Sequence, residues 1–176
     1  MIKPYKLSVS KKTLNEIYKK VKNYPWNLIQ NVNGWEYGTN YNYLKNISKY
    51  WASKYNWKKY EKKINSFSNY KTKVNGLDIH FIKEKSKNPK SRPLLLLHGW
   101  PGSVIEFLDI IPKLAHPEKF GGKKDDGFDV IVPSLPGFGF STPIKKAMGP
   151  REIGKVLNKL MVKNLGYKNY AVQGGD

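Results

Sequence analysis

The sequence predicts an α/β fold: a helical, aromatic-rich N-terminal region followed by a sheet whose later strands run parallel. Three observations predict it. Asn75-Gly76 separates two arms in which apolar residues recur at every second position, the run Leu94-Leu95-Leu96-Leu97 ends in Gly99 and Pro101, and strand and helix patterns alternate from there onward. Such alternation marks a parallel sheet covered by helices, because parallel neighbours need a crossover between them.

Taken in order, the first element is a helix from Thr13 to Lys22. Leu14, Ile17, Tyr18 and Val21 fall at helical spacing, and Thr13 with Glu16 has the form of a capping box. The stretch from Tyr24 to Asn40 is rich in Pro, Gly and Asn but carries Trp26, Trp35 and Tyr37, so it reads as an ordered arm packed by its rings. A second helix is expected from about Tyr41 to Tyr60, with Leu44, Ile47, Trp51 and Tyr55 along one inward stripe.

The period then changes to two, through Tyr70, Thr72 and Val74, then Leu77, Ile79 and Phe81. Asn-Gly between the arms supplies the positive backbone angles of a two-residue hairpin turn. Leu94 to Leu97 reads as a strand covered on both faces. Ser103 and Glu106 form a second capping box, which places a helix start ahead of Val104, Phe107, Leu108 and Ile111. Phe128 to Val132 is the next buried strand. Pro150 to Leu165 is a helix with Ile153, Val156, Leu157, Leu160 and Met161 inward, Gly166 ends it, and Tyr170 to Gln173 is a third buried strand. The domain boundary falls near Phe67, dividing residues 1–66 from residues 67–176.

Bulk properties narrow the chemistry. A chain of 176 residues has room for a single sizeable core. No stretch approaches the ~20 apolar residues that a bilayer span requires, and Met1 to Ser10 has no signal-like apolar core. The absence of cysteine excludes disulfides, thiolate metal sites and a cysteine nucleophile, leaving hydroxyl, carboxylate and imidazole groups. The net charge of +19 suggests phosphate or an anionic surface. Its distribution argues otherwise: residues 1–91 hold 20 Lys/Arg against 5 Asp/Glu, residues 92–176 hold 12 against 8. The lysines are scattered, as at Lys58-Lys59 and Lys62-Lys63, without an arginine cluster suited to bidentate phosphate recognition. A solvated basic surface is expected, and no nucleic-acid partner.

Three segments carry chemistry. His98-Gly99-Trp100-Pro101-Gly102 lies between a strand and a helix, where backbone N–H groups can face a cleft at the carboxyl ends of parallel strands and stabilise negative charge. The alternative is a tight turn with His98 hydrogen-bonded to backbone. His80, His98 and His116 stand on separate elements without metal-ligand spacing. Gln173-Gly174-Gly175-Asp176 follows the third strand. A nucleophile elbow sits at such a place and needs a small residue two positions before the nucleophile, which Gly174 is; on its own, Gly-Gly-Asp is a surface turn or a helix cap. The loop Pro133 to Ser141 lacks the Lys-Ser/Thr ending of a phosphate cradle and opens with prolines, so it reads as a shaped wall for an apolar substrate, with Phe138 in it. Ser134 and Ser141 read as turn residues.

Together, Gly34 to Asn40, Leu94 to Ser103, Asp129 to Ser141 and Gln173 to Asp176 resemble the microsomal and juvenile-hormone epoxide hydrolases in order and spacing, over essentially the whole chain. The resemblance implies an α/β-hydrolase fold, its first strands up to the nucleophile elbow, preceded by the N-terminal epoxide hydrolase region. It implies Asp176 as the nucleophile that opens an epoxide to an alkyl-enzyme ester, later hydrolysed to a vicinal diol, and the Trp100 N–H as an oxyanion donor. His98, Gly99, Pro101, Gly174, Gly175 and Phe138 are then pocket or structural residues, and the Trp100–Pro101 bond is expected to be cis. The implied partner is a small apolar epoxide, with no metal or organic cofactor.

In that family the two lid tyrosines and the acid and histidine of the relay follow the nucleophile. These 176 residues alone are therefore expected not to turn over epoxides. The strand ending at Asp176 lies mid-sheet in the family, so it is expected to leave an apolar edge open to association. Members are associated with the endoplasmic reticulum membrane, although no anchor precedes Ile2 here. The alternative reading is a non-catalytic basic chain that binds an acidic partner or a membrane surface; a dehalogenase is argued against by Gly34 to Asn40.

Overall fold

A computed structural model of the chain describes residues 1–31 and 34–175. Two compact units emerge: Met1–Leu7 with Lys63–Asp176, and Ser8–Lys62.

The Ser8–Lys62 unit is helical. Helix α1 spans Lys11–Lys22, and its cap is Ser10, whose Oγ accepts from the Thr13 N–H at 3.0 Å. The expected cap at Thr13 is therefore one turn too late, because a serine was already placed to satisfy the first free amide. The single helix expected from Tyr41 to Tyr60 is two helices, α2 at Tyr41–Ser53 and α3 at Trp57–Asn65. Asn56 divides them, its Oδ1 accepting from the Lys58 N–H at 3.0 Å and so starting a new helix.

The apolar stripe of α2 is also not inward. Leu44, Ile47 and Trp51 are 41%, 44% and 42% exposed. Tyr41, Lys45, Ser48, Ala52 and Tyr55 are the half-buried positions instead, and the Tyr18 hydroxyl of α1 bonds the Tyr55 carbonyl. In the aromatic arm, Trp26 meets Tyr41 edge-on at 5.7 Å and Trp35 tilts on Tyr43 at 5.2 Å, whereas Tyr37 is exposed.

The other unit is built on a six-stranded sheet. Its strands are β1 (Lys3–Pro4), β2 (Asn69–Val74), β3 (Leu77–Glu84), β4 (Pro93–Leu97), β5 (Asp129–Pro133) and β6 (Ala171–Gly174), in spatial order β1-β2-β3-β5-β4-β6. The β2–β3 hairpin turns on Asn75 and Gly76 at φ 52° and 79°, the angles the Asn-Gly pair is suited to. Strands β5, β4 and β6 run parallel.

Helix α4 spans Ile111–Ala115 and α5 spans Pro150–Lys159, the latter continuing through a π-helical turn, Leu160–Asn164, to Gly166 at φ 77°. One sheet face buries Val74, Ile79, Phe81, Leu95 and Ile131 against Val156, Leu157, Leu160 and Met161. Each such aliphatic side chain, fully buried, contributes roughly 1.5–3 kcal/mol.

Two further elements differ from those expected. The helix foreseen after Ser103 is only a 3-10 turn, Val104–Phe107, although the Ser103–Glu106 capping box is present; α4 follows separately. Strand β6 is not buried: all four residues are exposed, Val172 by 56%, because it stands on the rim with β4 as its one strand neighbour among the described residues. Where the β4–β5–β6 layer begins, Asp129 fastens three segments. Its Oδ1 accepts from the Ser86 N–H and the Ser91 hydroxyl, and its Oδ2 from the Tyr167 hydroxyl at 3.0 Å. Burial, with the Asp129 charge second, pushes the Tyr167 phenol up to about 12.

Candidate active site

The site is assembled by strand register. In the parallel β4–β6 pair, Leu97 stands opposite Gly174, so the turn after β4 and the residue after β6 leave the sheet side by side at its carboxyl edge. Gly99, Trp100, Pro101, Gly102, Glu106 and Gly175 line one shallow depression of about 410 Å³ there. A larger groove of about 770 Å³ lies at the hairpin tip, among Lys73, Leu77, Met148 and Val156. It brings together none of the residues with the chemistry sought, so size does not select the site.

Each part of the turn has a local cause. Trp100–Pro101 is cis, and the Gly102 N–H closes on the Gly99 carbonyl at 2.9 Å. A β-carbon on Gly102 would overlap the Glu106 carboxylate, which bends back to accept from the Ser103 N–H at 2.9 Å. Glycine at 102 thus makes room for the capping box. A β-carbon on Gly174 would stand 3.2 Å from Leu97 Cβ, so the neighbouring strand keeps that position small.

His98 decides how the turn faces. It is 3% exposed, and both ring nitrogens are engaged. Nε2 accepts from the Leu135 N–H at 3.2 Å, so the ring proton is on Nδ1, which donates to the Gly99 carbonyl at 3.0 Å. The Gly99 carbonyl is thereby drawn toward His98 and Gly102. Because a trans peptide is planar with C=O and N–H opposed, the Trp100 N–H is aimed the other way. The reading of His98 as bonded to backbone stands, and that bond orients the next amide. Phe138 sets its ring edgewise on His98 at 5.5 Å and does not line the depression.

Asp176 lies outside the described residues. Of the other site residues anticipated from sequence, Gly99, Trp100, Pro101 and Gly175 come together at the depression, Gly174 underlies it, and His98 and Phe138 support it. The three imidazoles stand away from the depression: His98 as above, His116 through Nε2 with Glu84 at 2.9 Å and with its buried Nδ1 unpartnered, and His80 through both nitrogens with Ser134 and Asn69 at 2.9 Å each. Among the described residues no group of His, Asp or Glu is arranged to hold a metal ion.

Sequence reasoning missed the buried polar cluster behind the site. Ser134 and Ser141 are 0% and 2% exposed and hydrogen-bonded to His80, more than turn residues. The one available signal was a histidine inside the apolar run Ile79-His80-Phe81-Ile82, since a buried imidazole needs two partners.

Comparison with known proteins gives the family of the chain. A family model described as "Epoxide hydrolase N terminus" matches residues 2–107, and one described as "alpha/beta hydrolase fold" matches residues 92–176. Epoxide hydrolase 1 of Oryctolagus cuniculus is 39% identical over 182 residues, covering 99% of this chain and 39% of that protein. Juvenile hormone epoxide hydrolase 1 of Ctenocephalides felis is 37% identical over 180 residues, covering 99% and 38%. The crystal structure of juvenile hormone epoxide hydrolase from the silkworm Bombyx mori superposes with a TM-score of 0.84 at 37% identity, covering all of this chain and 42% of that one. The chain spans about two-fifths of the length of the curated relatives it matches.

Proposed function

Because the chain belongs to the epoxide hydrolase family, with the α/β-hydrolase fold, we propose that it carries the nucleophile and one oxyanion donor of an enzyme that adds water to an apolar epoxide. The observation that supports this most is the register of Leu97 opposite Gly174, which sets the Trp100 turn beside the residues leading to Asp176.

In the proposed reaction the Asp176 carboxylate attacks an epoxide carbon. The ring C–O bond breaks, its electron pair stays on oxygen, and an alkyl ester forms on the side chain. A carboxylate is a weak base, yet it suffices against a strained ring, and the ester divides one hard step into two easier ones. Water then adds to the ester carbonyl, and the Trp100 N–H, aimed away from His98, bonds the oxyanion of the tetrahedral intermediate. The water requires a general base. None of His80, His98 and His116 lines the depression, so none suits that role. The ring oxygen leaves as an alkoxide that takes its proton slowly from water, and a positioned acid speeds that opening. We assign both roles to segments that the longer relatives possess beyond this stretch.

The test follows from that division of labour. The 176-residue chain, incubated with a terminal epoxide and mapped by peptide mass spectrometry, is expected to gain one epoxide mass on Asp176 and to release no diol above a buffer blank. An Asp176→Asn variant should gain none on that side chain. Adducts confined to lysines, or diol release from the Asp176→Asn variant, would refute the proposal. No helix among the described residues is long and apolar enough to cross a membrane.

A further inference from the structure

We propose that His80, on a strand two places from the site, is a positioning residue for the oxyanion turn, acting through Ser134, Leu135 and His98. The inference rests on the reading above that the Trp100 amide serves the reacting atoms; the route itself stands on hydrogen bonds whose directions are fixed one after another.

It begins at Asn69. Its Nδ2 donates to the carbonyls of Ile64 and Phe67, both at 2.8 Å, which leaves only Oδ1 to face His80. An amide oxygen can only accept, so His80 Nε2 carries the proton at that 2.9 Å contact. His80 Nδ1 is then an acceptor, and the Ser134 hydroxyl must donate to it at 2.9 Å. The main chain repeats the tie. The Ser134 N–H donates to the His80 carbonyl, the His80 N–H to Ser141 Oγ, and the Ser141 hydroxyl to the Ser134 carbonyl at 2.7 Å. One histidine thus holds both ends of the loop Ser134 to Ser141.

Next along the chain, the Leu135 N–H bonds His98 Nε2, whose opposite tautomer in turn holds the Gly99 carbonyl. The cluster lies in dry surroundings: His80 and Ser134 are 0% exposed, and Tyr5 and Phe140 meet the imidazole at 5.5 and 5.0 Å. The two links at the His80 ring are buried, so reversing its proton would leave a buried donor or acceptor without a partner. Burial also lowers the His80 pKa to about 3, keeping the ring neutral and its tautomer single.

The test needs no turnover. With only 3 histidines in the chain, a ¹⁵N-histidine-labelled sample resolves every imidazole by long-range ¹⁵N–¹H correlation. The expected result at neutral pH is His80 protonated on Nε2, His98 protonated on Nδ1, and a coupling across the hydrogen bond from the Leu135 amide to His98 Nε2. Ser134→Ala should blur the His98 tautomer and speed Leu135 amide exchange about tenfold or more. Val156→Ala, a core change unconnected to the route, should do neither.

Reversed tautomers in the unaltered chain, or a His98 spectrum no more disturbed by Ser134→Ala than by Val156→Ala, would overturn the proposal. If Ser134→Ala does not fold, the tautomers and coupling of the unaltered chain decide. Expected tautomers in a chain whose Asp176 takes up no epoxide would count against the proposed function alone.

Discussion

Leu97 and Gly174 face each other across two parallel strands, with a β-carbon on Gly174 placed 3.2 Å from Leu97 Cβ and 3.5 Å from its carbonyl oxygen. This one pairing sets the two turns of the candidate site at the same level of the sheet. The contact with Leu97 Cβ is tighter than ordinary van der Waals packing, so a side chain at 174 requires Leu97 or β6 to give by a few tenths of an ångström.

Gly174→Val tests that statement. On an exposed rim strand, β-propensity alone would make valine stabilising. We expect destabilisation of about 1–3 kcal/mol, as for overpacking elsewhere, read as a lower urea midpoint, together with slower uptake of epoxide at Asp176. An unchanged or raised midpoint would show that the two strands are not held at this distance.

The buried imidazole gives a pH dependence. The His80 pKa falls from 6.5 to about 3, through burial first and Lys71 second. Between these values the unfolded chain binds a proton that the folded chain refuses, so stability is full above pH 6.5 and declines as pH falls toward 3. The slope from this one group reaches about 1.4 kcal/mol per pH unit. Urea unfolding from pH 7 to pH 4 should show it, and His80→Gln should flatten it while lowering stability at pH 7. A slope unchanged by that substitution would assign the acid sensitivity to other groups.

Strand β6 predicts association. It pairs with β4 alone among the described residues, and Val172 is 56% exposed, so one row of its backbone groups is open to another chain. Light scattering should rise with concentration, and Val172→Lys should move that rise to a higher concentration, since charge on a rim strand opposes pairing. Equal onset in the two proteins would place the contact elsewhere, with the exposed α2 stripe of Leu44, Ile47 and Trp51 the next surface to alter.

What the sequence made legible was governed by neighbours along the chain. Asn75-Gly76 specifies its own turn, the four leucines their own strand, and Val156, Leu157, Leu160 and Met161 their own inward face, and all three stand as expected. The break at Asn56 was legible in kind, since asparagine caps helices, but no Gly or Pro marked it. The helix foreseen from Ser103 shortened because Pro112 admits α4 only from its own first turn. The exposure of α2 could not be read, since periodicity shows that a helix has an apolar face and not what covers it. The His80 relay was equally hidden: His80 and Ser134 are 54 positions apart, and only the β3–β5 pairing brings them together.

The central claim is that the Asp176 carboxylate shares a cleft with the amide of the turn after β4. The measurement that tests it most directly is the crystallographic position of that carboxylate relative to the Trp100 N–H. Both groups are expected to border the depression lined by Gly99, Pro101 and Gly175, close enough for an ester formed on the one to be bonded by the other at about 3 Å. A carboxylate turned to bulk water on the far side of β6, or a Trp100 N–H directed toward His98, would contradict it.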